Sequence, residues 1–437
     1  MVNLLTKKRN KKCEGLIEFK ALRFLTIMKY HLTLIIIVLH FCCQGQVRTL
    51  NEYVELAKQN SPLLRGYQSQ VLSLQLDSQI LRAGLRTQVN FLGNFMYAPT
   101  IAGFGYDPAI SNVANLAALM QATRNFFSTG NIASQYRAIS LQSRALRDTI
   151  LLSQKDLVRT ISDQYITAYG DLLTMNYSKS LFDLLQGESD ALKKLAQASI
   201  IKQTDYLAFD LTLKQQELTY MQANIQYSAD YLTLNFLAGI SDTTIGMLEE
   251  PRLADSIPHD FYSSVFYRRY VTDSLRIENE RRIIYYSYRP TIGAFVDGGY
   301  NSSLQDMPYK NFGFSFGVNV KVPIYDGHQK KYKLQKLDIE ERTRLYNKDF
   351  FVRQYNQQIA QLNIQLHATE LLFQNISRQV EYSRTLINAY GRLLETGDVK
   401  VTDFVTAITT LLNAQNTYRQ NLISRLRIMN QINYWNQ

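Results

Sequence analysis

The residue types that usually carry out catalysis are few and scattered in this sequence. Two of the five histidines lie in the first 46 residues, which leaves His259, His328 and His367 far apart along the chain. His367 and Glu370 have the helical spacing of a metal-binding pair, but a lone pair of this kind is typical of a solvated helix face. Nucleophile-elbow and phosphate-loop motifs are absent from the sequence. We therefore expect no enzyme activity, no metal site and no cofactor.

A short motif that contains an acidic residue is instead written twice. "KQTDYLAF" begins at Lys202, and "KVTDFVTA" begins at Lys400. At the same offset of 198 residues, Tyr418 matches Tyr220, and the order of predicted elements agrees along both halves. Gene duplication is the simplest explanation of such a repeat. Two equivalent elements must therefore position the acidic residues Asp205 and Asp403.

Hydrophobic periodicity predicts long helices in each half. The predicted helices cover residues 49–86, 132–198, 204–237, 273–288, 329–395 and 402–435. Alternation, glycine and aromatic residues predict strands at 89–99, 115–130, 289–300 and 311–327. The sequence therefore favours a mainly α-helical fold with a small β part.

The last helix of each half has the period of a coiled coil. In the second half the predicted seam is Val401, Phe404, Ile408, Leu411, Gln415, Tyr418, Leu422, Arg425, Met429 and Ile432. In the first half it is Leu207, Leu211, Lys214, Leu218, Met221, Ile225 and Leu232. We expect these seams to pack side by side against other helices.

The last predicted strand has two unlike faces. One face carries Phe312, Phe314, Phe316, Val318, Val320 and Val322, and the other carries glycine, serine, asparagine and lysine. Such a strand fits a membrane barrel, with lipid on one side and water on the other. It equally fits a small soluble sheet packed on helices. Because four strands cannot close a barrel alone, a membrane role requires strands from several chains.

Residues 1–46 resemble an N-terminal extension followed by a secretory signal peptide. Lys29 precedes the apolar run "LTLIIIVL", and cleavage is expected near Gly45 or Gln46, with Met1 or Met28 as the true start. An uncleaved anchor and lipidation at Cys42 or Cys43 are the alternatives. All three cysteines lie in this segment, so we expect no disulfide in the mature chain.

The positive charge of the chain is concentrated in the same segment. Eight Lys or Arg and two Glu within residues 1–46 supply +6 of the formal net charge of +11. The remaining chain is weakly basic, and its sequence has no basic helix face and no run of interleaved arginine and aromatic residues. We therefore expect no nucleic-acid partner.

From Thr49 to Gln437 the chain resembles the TolC-like outer-membrane efflux and secretion proteins. The resemblance is carried by "TLNEYVELAKQNSPLL", "RPTIGAFVDGGY", "VNVKVPIYDGH" and "LLETGDVKVTDFVTAITTLLNAQNTY", in their duplicated order. It implies a homotrimer in the outer membrane. Each chain would add four strands to a twelve-stranded transmembrane barrel, and antiparallel coiled-coil helices would form a tunnel through the periplasm.

The resemblance also implies roles for residues at the helix ends. The family's tip pattern maps onto Gly397 and Asp403, whereas the first copy has Ser199 and retains Asp205. A ring of carboxylates at a constriction favours cations. An ordinary first-turn or capping role at a helix N-terminus is the alternative for each Asp.

This chain departs from the family at the gate. Leu394 and Val399 stand where the best-known member has gate-bonding residues, so Lys400 or Arg392 is expected to supply the cation. Gly397, Thr396 and Ser199 are expected to form the tip that contacts a periplasmic adaptor protein.

These observations together predict an exit duct with two structural repeats. Residues 47–240 and 263–437 would form the repeats, joined by a linker at 241–262. With an adaptor and an inner-membrane pump as partners, the duct would export small molecules or polypeptides. A periplasmic coiled-coil scaffold without a pore is the alternative, and a secreted hydrolase lacks a supporting His/carboxylate cluster in the sequence.

Overall fold

A computed structural model describes most of the chain. It covers residues 48–99, 101–107, 114–253, 261–304, 307–396 and 398–436, without the side chain of Glu395. The predicted signal peptide, its three cysteines and Gly397 lie outside the described residues.

The described chain is mainly helical, with one four-stranded antiparallel sheet. The helices are α1 (Leu50–Asn60), α2 (Pro62–Gly84), α3 (Thr129–Gln197), α4 (Gln203–Leu237), α5 (Val265–Ser287), α6 (Gln329–Glu395) and α7 (Val401–Asn436). The strands are β1 (Gln88–Tyr97), β2 (Ala114–Phe126), β3 (Thr291–Ser302) and β4 (Phe312–Lys321). This confirms the predicted fold class at the level of a single chain. Over the residues described, no helix is both long enough and apolar enough to cross a membrane.

The two halves repeat the same elements at nearly the same lengths. Helices α2 and α5 each have 23 residues. Helices α3 and α6 have 69 and 67 residues, and α4 and α7 have 35 and 36. The predicted repetition of element order is therefore present in the structure.

Several predicted boundaries differ from the structure, and three of them have local reasons. The first helix is broken at Ser61, because Pro62 next to it has no amide proton with which to continue that helix. Ser61 then caps α2, its hydroxyl accepting a hydrogen bond from the amide of Leu64 at 3.4 Å. Helix α5 begins at Val265, since Ser264 caps it through the amide of Tyr267. Strand β4 ends at Lys321, two residues before Pro323, so Val322 lies beyond the strand.

The sheet joins the two halves of the chain. Its strand order is β1-β2-β3-β4, and each neighbouring pair is antiparallel. The central pair, β2 with β3, places Met120 opposite Gly298 and Phe126 opposite Ile292. The duplicated strands therefore form one continuous sheet.

The chain divides into two compact units. The first contains the described part of Met1–Ala57 with Ile161–Arg252 and Phe373–Ile423, and the second contains Lys58–Thr160, Leu253–Leu372 and Ser424–Gln437. Each unit takes segments from both halves of the sequence. Because this division does not follow the two sequence repeats, the repeat boundaries at 240 and 263 remain predictions.

Each unit has its own apolar core. In the first unit, leucine, isoleucine and aromatic side chains of α3, α4, α6 and α7 form a cluster that includes Leu185, Phe209 and Phe404. In the second unit, an aromatic cluster surrounds Phe261, Phe266 and Tyr355 and includes Trp435 at its edge. The sheet belongs to the second unit.

Within one chain, the predicted coiled-coil seam of α7 is covered and that of α4 is not. Seven members of the predicted α7 seam are buried and the other three are half-buried. In α4, by contrast, the predicted seam is exposed, with Leu211 at 72% and Ile225 at 68%. The buried residues of α4 are Phe209, Leu213, Gln216, Ala223, Tyr227, Tyr231, Leu234 and Asn235. Helix α4 therefore has two apolar stripes, and hydropathy alone does not show which of them the chain itself covers.

Candidate functional site

The two helix-to-helix turns of the first unit have the same backbone hydrogen bonds. After α3, the amide of Ile200 donates to the carbonyl oxygen of Leu195 at 3.0 Å. After α6, the amide of Asp398 donates to the carbonyl oxygen of Leu393 at 3.0 Å. Both bonds join residues five apart, as in a Schellman motif at a helix C-terminus. The duplicated turns therefore fold alike.

Ser199 occupies the left-handed position of the first turn. Its φ is +59°, and its amide donates to the carbonyl oxygen of Ala196 at 3.1 Å. Glycine is preferred at this position because a Cβ atom crowds the backbone there. The sequence places Gly397 at the matching position of the second turn, outside the described residues.

Asp205 and Asp403 occupy equivalent places at the start of α4 and α7. The amide of Asp205 donates to the carbonyl oxygen of Lys202 at 3.0 Å, and the amide of Asp403 donates to that of Lys400 at 3.0 Å. Each Asp is the third residue of its helix, so its charge complements the helix dipole. Asp403 is exposed and Asp205 is half-buried.

The structure does not bring the predicted gate cations to these carboxylates within one chain. Lys400 and Arg392 are exposed, and neither is within 4.0 Å of a carboxylate oxygen of the described residues. The Asp403 carboxylate likewise has no hydrogen bond to the described chain. The gate assignment of these residues remains a prediction about contacts between copies.

Two residues near the tips were missed in the sequence. Lys202 is the structural equivalent of Lys400, and the repeated "KxTD" pattern could have identified it. Asp398 is an exposed carboxylate in the second turn, where Thr396 Oγ1 lies 2.6 Å from Asp398 Oδ2. The first turn has the apolar Ile200 and Ile201 at the corresponding place. The two tips are therefore alike in backbone and unlike in charge.

The tip helices are fixed by a core directly behind the turns. Phe209 of α4 and Phe404 of α7 are both fully buried, and Leu394 is 2% exposed in the same cluster. The departure at Leu394 thus has a structural explanation, because this position contributes to the tip core. A residue in such a position cannot serve as a polar gate residue in this chain.

The predicted apolar strand face extends over the whole sheet. Because of the cross-strand register, Phe316 of β4 lies opposite Val296 of β3, which is aligned through Ala122 of β2 with Val89 of β1. Side chains of Phe312, Phe314, Phe316, Val318 and Val320 are 64–81% exposed on this face. Arg124 is its one charged residue among the described strands.

The opposite face of the sheet is polar. Ser315 donates to Asp297 Oδ1 across β3 and β4 at 2.8 Å. Asn90, Gln121 and Asn319 lie on the same face. The sheet therefore separates an apolar side from a polar side.

Of the two residues with metal-pair spacing, His367 and Glu370, the second forms an ion pair. Glu370 lies 3.7 Å from Arg425 Nη2, and His367 is exposed. Within the described ranges, no three His, Cys, Asp or Glu side chains are grouped closely enough to hold a metal ion.

Comparison with known proteins gives matches in structure alone. No protein-family model matches the sequence, and no curated protein matches it. The outer-membrane channel OprN superimposes with a TM-score of 0.70 at 14% identity, over 88% of this chain and 89% of that one. The outer-membrane protein VceC of Vibrio cholerae gives a TM-score of 0.70 at 13% identity, over 89% and 96%.

A channel in its open state gives a similar result. The MtrE outer-membrane channel of Neisseria gonorrhoeae gives a TM-score of 0.70 at 12% identity, over 88% of both chains. At these identities the likeness concerns the fold. The resemblance expected from the sequence is thereby confirmed: this chain has the fold of the TolC-like outer-membrane channels.

Proposed function

We propose that this chain is an outer-membrane channel that serves as the exit duct of a tripartite efflux pump or a type I secretion system. Its cargo would be small molecules or polypeptides, and the channel would contribute no chemistry of its own. The observation that carries the proposal is the sheet with one apolar and one polar face. The fold shared with OprN, VceC and MtrE supports the same function.

The edges of the sheet support a trimer. In the described part of the chain, β1 pairs with β2 alone and β4 pairs with β3 alone. An edge strand with unpaired amides and carbonyls is unfavourable in lipid, where water cannot satisfy those groups. Three copies that pair β4 with the next β1 would close a twelve-stranded barrel. The strands have 10 to 13 residues, which is sufficient to cross the hydrocarbon region.

The orientation of the sheet follows from its two faces. The exposed apolar face, which includes Phe314 and Phe316, would contact outer-membrane lipid, and the face with Asp297 and Ser315 would line water. The helices would then extend into the periplasm. There the exposed α4 stripe, which includes Leu211 and Ile225, would be covered by a neighbouring copy.

The tips would form the periplasmic entrance. In a trimer, three copies of Asp403 and three of Asp205 would place carboxylates around one opening, which favours cations. Lys400 and Arg392 would pair with these carboxylates between copies in the closed state. Thr396, Gly397 and Ser199 would contact a periplasmic adaptor protein, which links the duct to an inner-membrane pump.

The proposal is tested with the full chain purified in dodecylmaltoside. We expect a trimer that conducts ions in planar bilayers with a preference for cations. Asp403→Ala should reduce that preference, and Thr402→Ala, at the neighbouring exposed position, should leave it unchanged. A water-soluble protein without conductance would refute the channel and favour the scaffold. A conducting trimer whose selectivity is unaffected by Asp403→Ala would remove only the gate assignment.

A further inference from the structure

Basic residues gather at one end of the sheet. The strand register places the start of β1, the end of β2, the start of β3 and the end of β4 at the same end of the sheet, along the strand direction. The helices α2, α3, α5 and α6 connect to the strands at this end of the sheet. We define the basic rim as Arg86, Arg124, Arg289, Lys331 and Lys333, all of which are exposed.

Cation–aromatic contacts lie beside the rim, at the end of α5 and the start of α6. Lys330 Nζ lies 5.1 Å from the ring centroid of Tyr285 and 5.3 Å from that of Tyr288, which joins the start of α6 to the end of α5. The Arg289 guanidinium lies 4.7 Å from the ring centroid of Tyr286. Lys330 and Arg289 therefore lie beside tyrosine rings at this end of the sheet, although the sequence shows no run of interleaved basic and aromatic residues.

The rim has a large excess of positive charge. Within the described chain, none of its five residues is within 4.0 Å of a carboxylate oxygen. Asp326 is the acidic residue beside it, and accepts a 2.7 Å hydrogen bond from the amide of Lys330. The hydrogen bond from the Tyr288 hydroxyl lowers the pKa of Asp326, so this carboxylate is ionised at neutral pH and offsets one positive charge.

The rim is continuous with the apolar face of the sheet. Arg124 belongs to that face and lies opposite Ala294, two pairs of residues before the last pair, Phe126 with Ile292. Its guanidinium is 5.5 Å from the ring centroid of Phe126. A long basic side chain at the margin of an apolar surface can reach the polar region beside it. Arg124 therefore lies within the apolar face, close to the end of the sheet that carries the basic rim.

We propose that the basic rim binds the phosphate groups of anionic phospholipids in the leaflet that faces the helices. This inference rests on the proposed function, because the apolar face must contact lipid for the rim to lie at headgroup depth. Phosphate oxygens accept hydrogen bonds from guanidinium and ammonium groups, and nearby tyrosine rings suit the same interfacial layer. The partner is thus a membrane surface that contains phosphatidylglycerol or a lipid of similar charge.

The test measures lipid selectivity of the full chain. The trimer is prepared in dodecylmaltoside micelles with equal amounts of phosphatidylglycerol and phosphatidylcholine, and the retained lipids are counted by native mass spectrometry. We expect several-fold more phosphatidylglycerol than phosphatidylcholine. The triple variant Arg289→Gln, Lys331→Gln, Lys333→Gln should lower this ratio several-fold, to a value close to one.

Three controls make the result specific. The variant Lys179→Gln, Lys193→Gln, Lys194→Gln removes the same charge from exposed positions in the first unit and should keep the wild-type ratio. Single variants Lys331→Gln and Lys333→Gln, at exposed positions, replace the triple variant if it fails to fold. Inorganic phosphate alone is tested as competitor, and its failure to displace the lipid supports a membrane source.

The possible outcomes separate the two proposals. A wild-type ratio near one, equal losses in rim and control variants, or displacement by inorganic phosphate would each overturn the rim as a lipid site. Flotation with phosphatidylcholine vesicles is measured on the same protein. If it floats without lipid selectivity, the channel stands and the rim inference fails. If it does not float, the proposed membrane function fails.

Discussion

Phe209 of α4 and Phe404 of α7 stack almost parallel, with ring centroids 6.1 Å apart and an angle of 11° between the ring planes. Each ring lies one turn or two inside a helix that begins with the repeated "TD" motif. Both are fully buried in the core of the first unit. The stacked pair therefore joins the two duplicated helices just behind the turns that carry Ser199 and Asp398.

Replacing either ring should weaken the tips. Phe209→Ala and Phe404→Ala should each reduce the free energy of unfolding by about 3–5 kcal/mol, because each leaves a cavity in a packed core. The double variant should lose less than the sum of the two, by about 0.5–1.5 kcal/mol, since the rings interact directly. Hydrogen exchange of amides in α4 and α7 measures the effect. Thr406→Ala, at an exposed position of α7, should change it by less than about 0.5 kcal/mol.

Ser199→Gly should stabilise the first tip. The left-handed φ of +59° is strained for serine and unstrained for glycine, so we expect a gain of about 0.5–1 kcal/mol. Ala196→Gly, within the last turn of α3, should act in the opposite direction by about 1 kcal/mol. Hydrogen exchange at the amide of Ile200 reports both changes. If Ser199→Gly lowered the stability of the turn as Ala196→Gly does, the left-handed assignment of Ser199 would be contradicted.

The facing glycines Gly299 and Gly313 should differ strongly in tolerance. A Cβ atom on Gly299 would lie 2.2 Å from the backbone oxygen of Ala118, and its φ is +153°. Gly313, directly opposite on β4, has no atom within 4 Å of such a Cβ. Gly299→Ala should therefore cost about 3 kcal/mol or more, and Gly313→Ala less than about 0.5 kcal/mol. Guanidinium unfolding followed by the fluorescence of Trp435 compares the two variants.

Lys155 should destabilise the second unit in a pH-dependent way. Its Nζ atom is buried without a hydrogen-bond partner in the described chain and lies 5.4 Å from the ring centroid of Phe266. Burial lowers the pKa of this ammonium below its ordinary value of 10.5. At neutral pH, Lys155→Met should raise the free energy of unfolding by about 1 kcal/mol, because it removes the cost of a desolvated charge and keeps the contact with Phe266.

The pH dependence gives that prediction its sign. Since the folded-state pKa is lowered, the cost is fully present below that pKa. It disappears as the pH rises from that value past 10.5, above which Lys155 becomes neutral in the folded and the unfolded chain. The advantage of Lys155→Met should therefore shrink over this window. The exposed control Lys179→Met should show little advantage at any pH.

Much of the fold was readable from the sequence because its elements are long and strictly periodic. Helix α6 begins at Gln329 and ends at Glu395 as predicted, since apolar spacing continues between two helix-breaking segments. The offset of 198 residues correctly paired Asp205 with Asp403 and Ser199 with the second turn, because a duplicated backbone keeps its local hydrogen bonds. The alternation of β4 identified its apolar face because side chains of a strand point to opposite sides in turn.

Features that depend on neighbours were decided by the tertiary structure alone. Periodicity predicts that α4 has an apolar stripe, but the packing of α3, α6 and α7 selects the stripe with Phe209 and leaves Leu211 exposed. Likewise, the basic rim assembles from four separate segments of the chain, so no local run of basic residues in the sequence predicts it. Local patterns determine which surface a residue can join. Which partner covers that surface is determined by contacts between segments far apart along the chain.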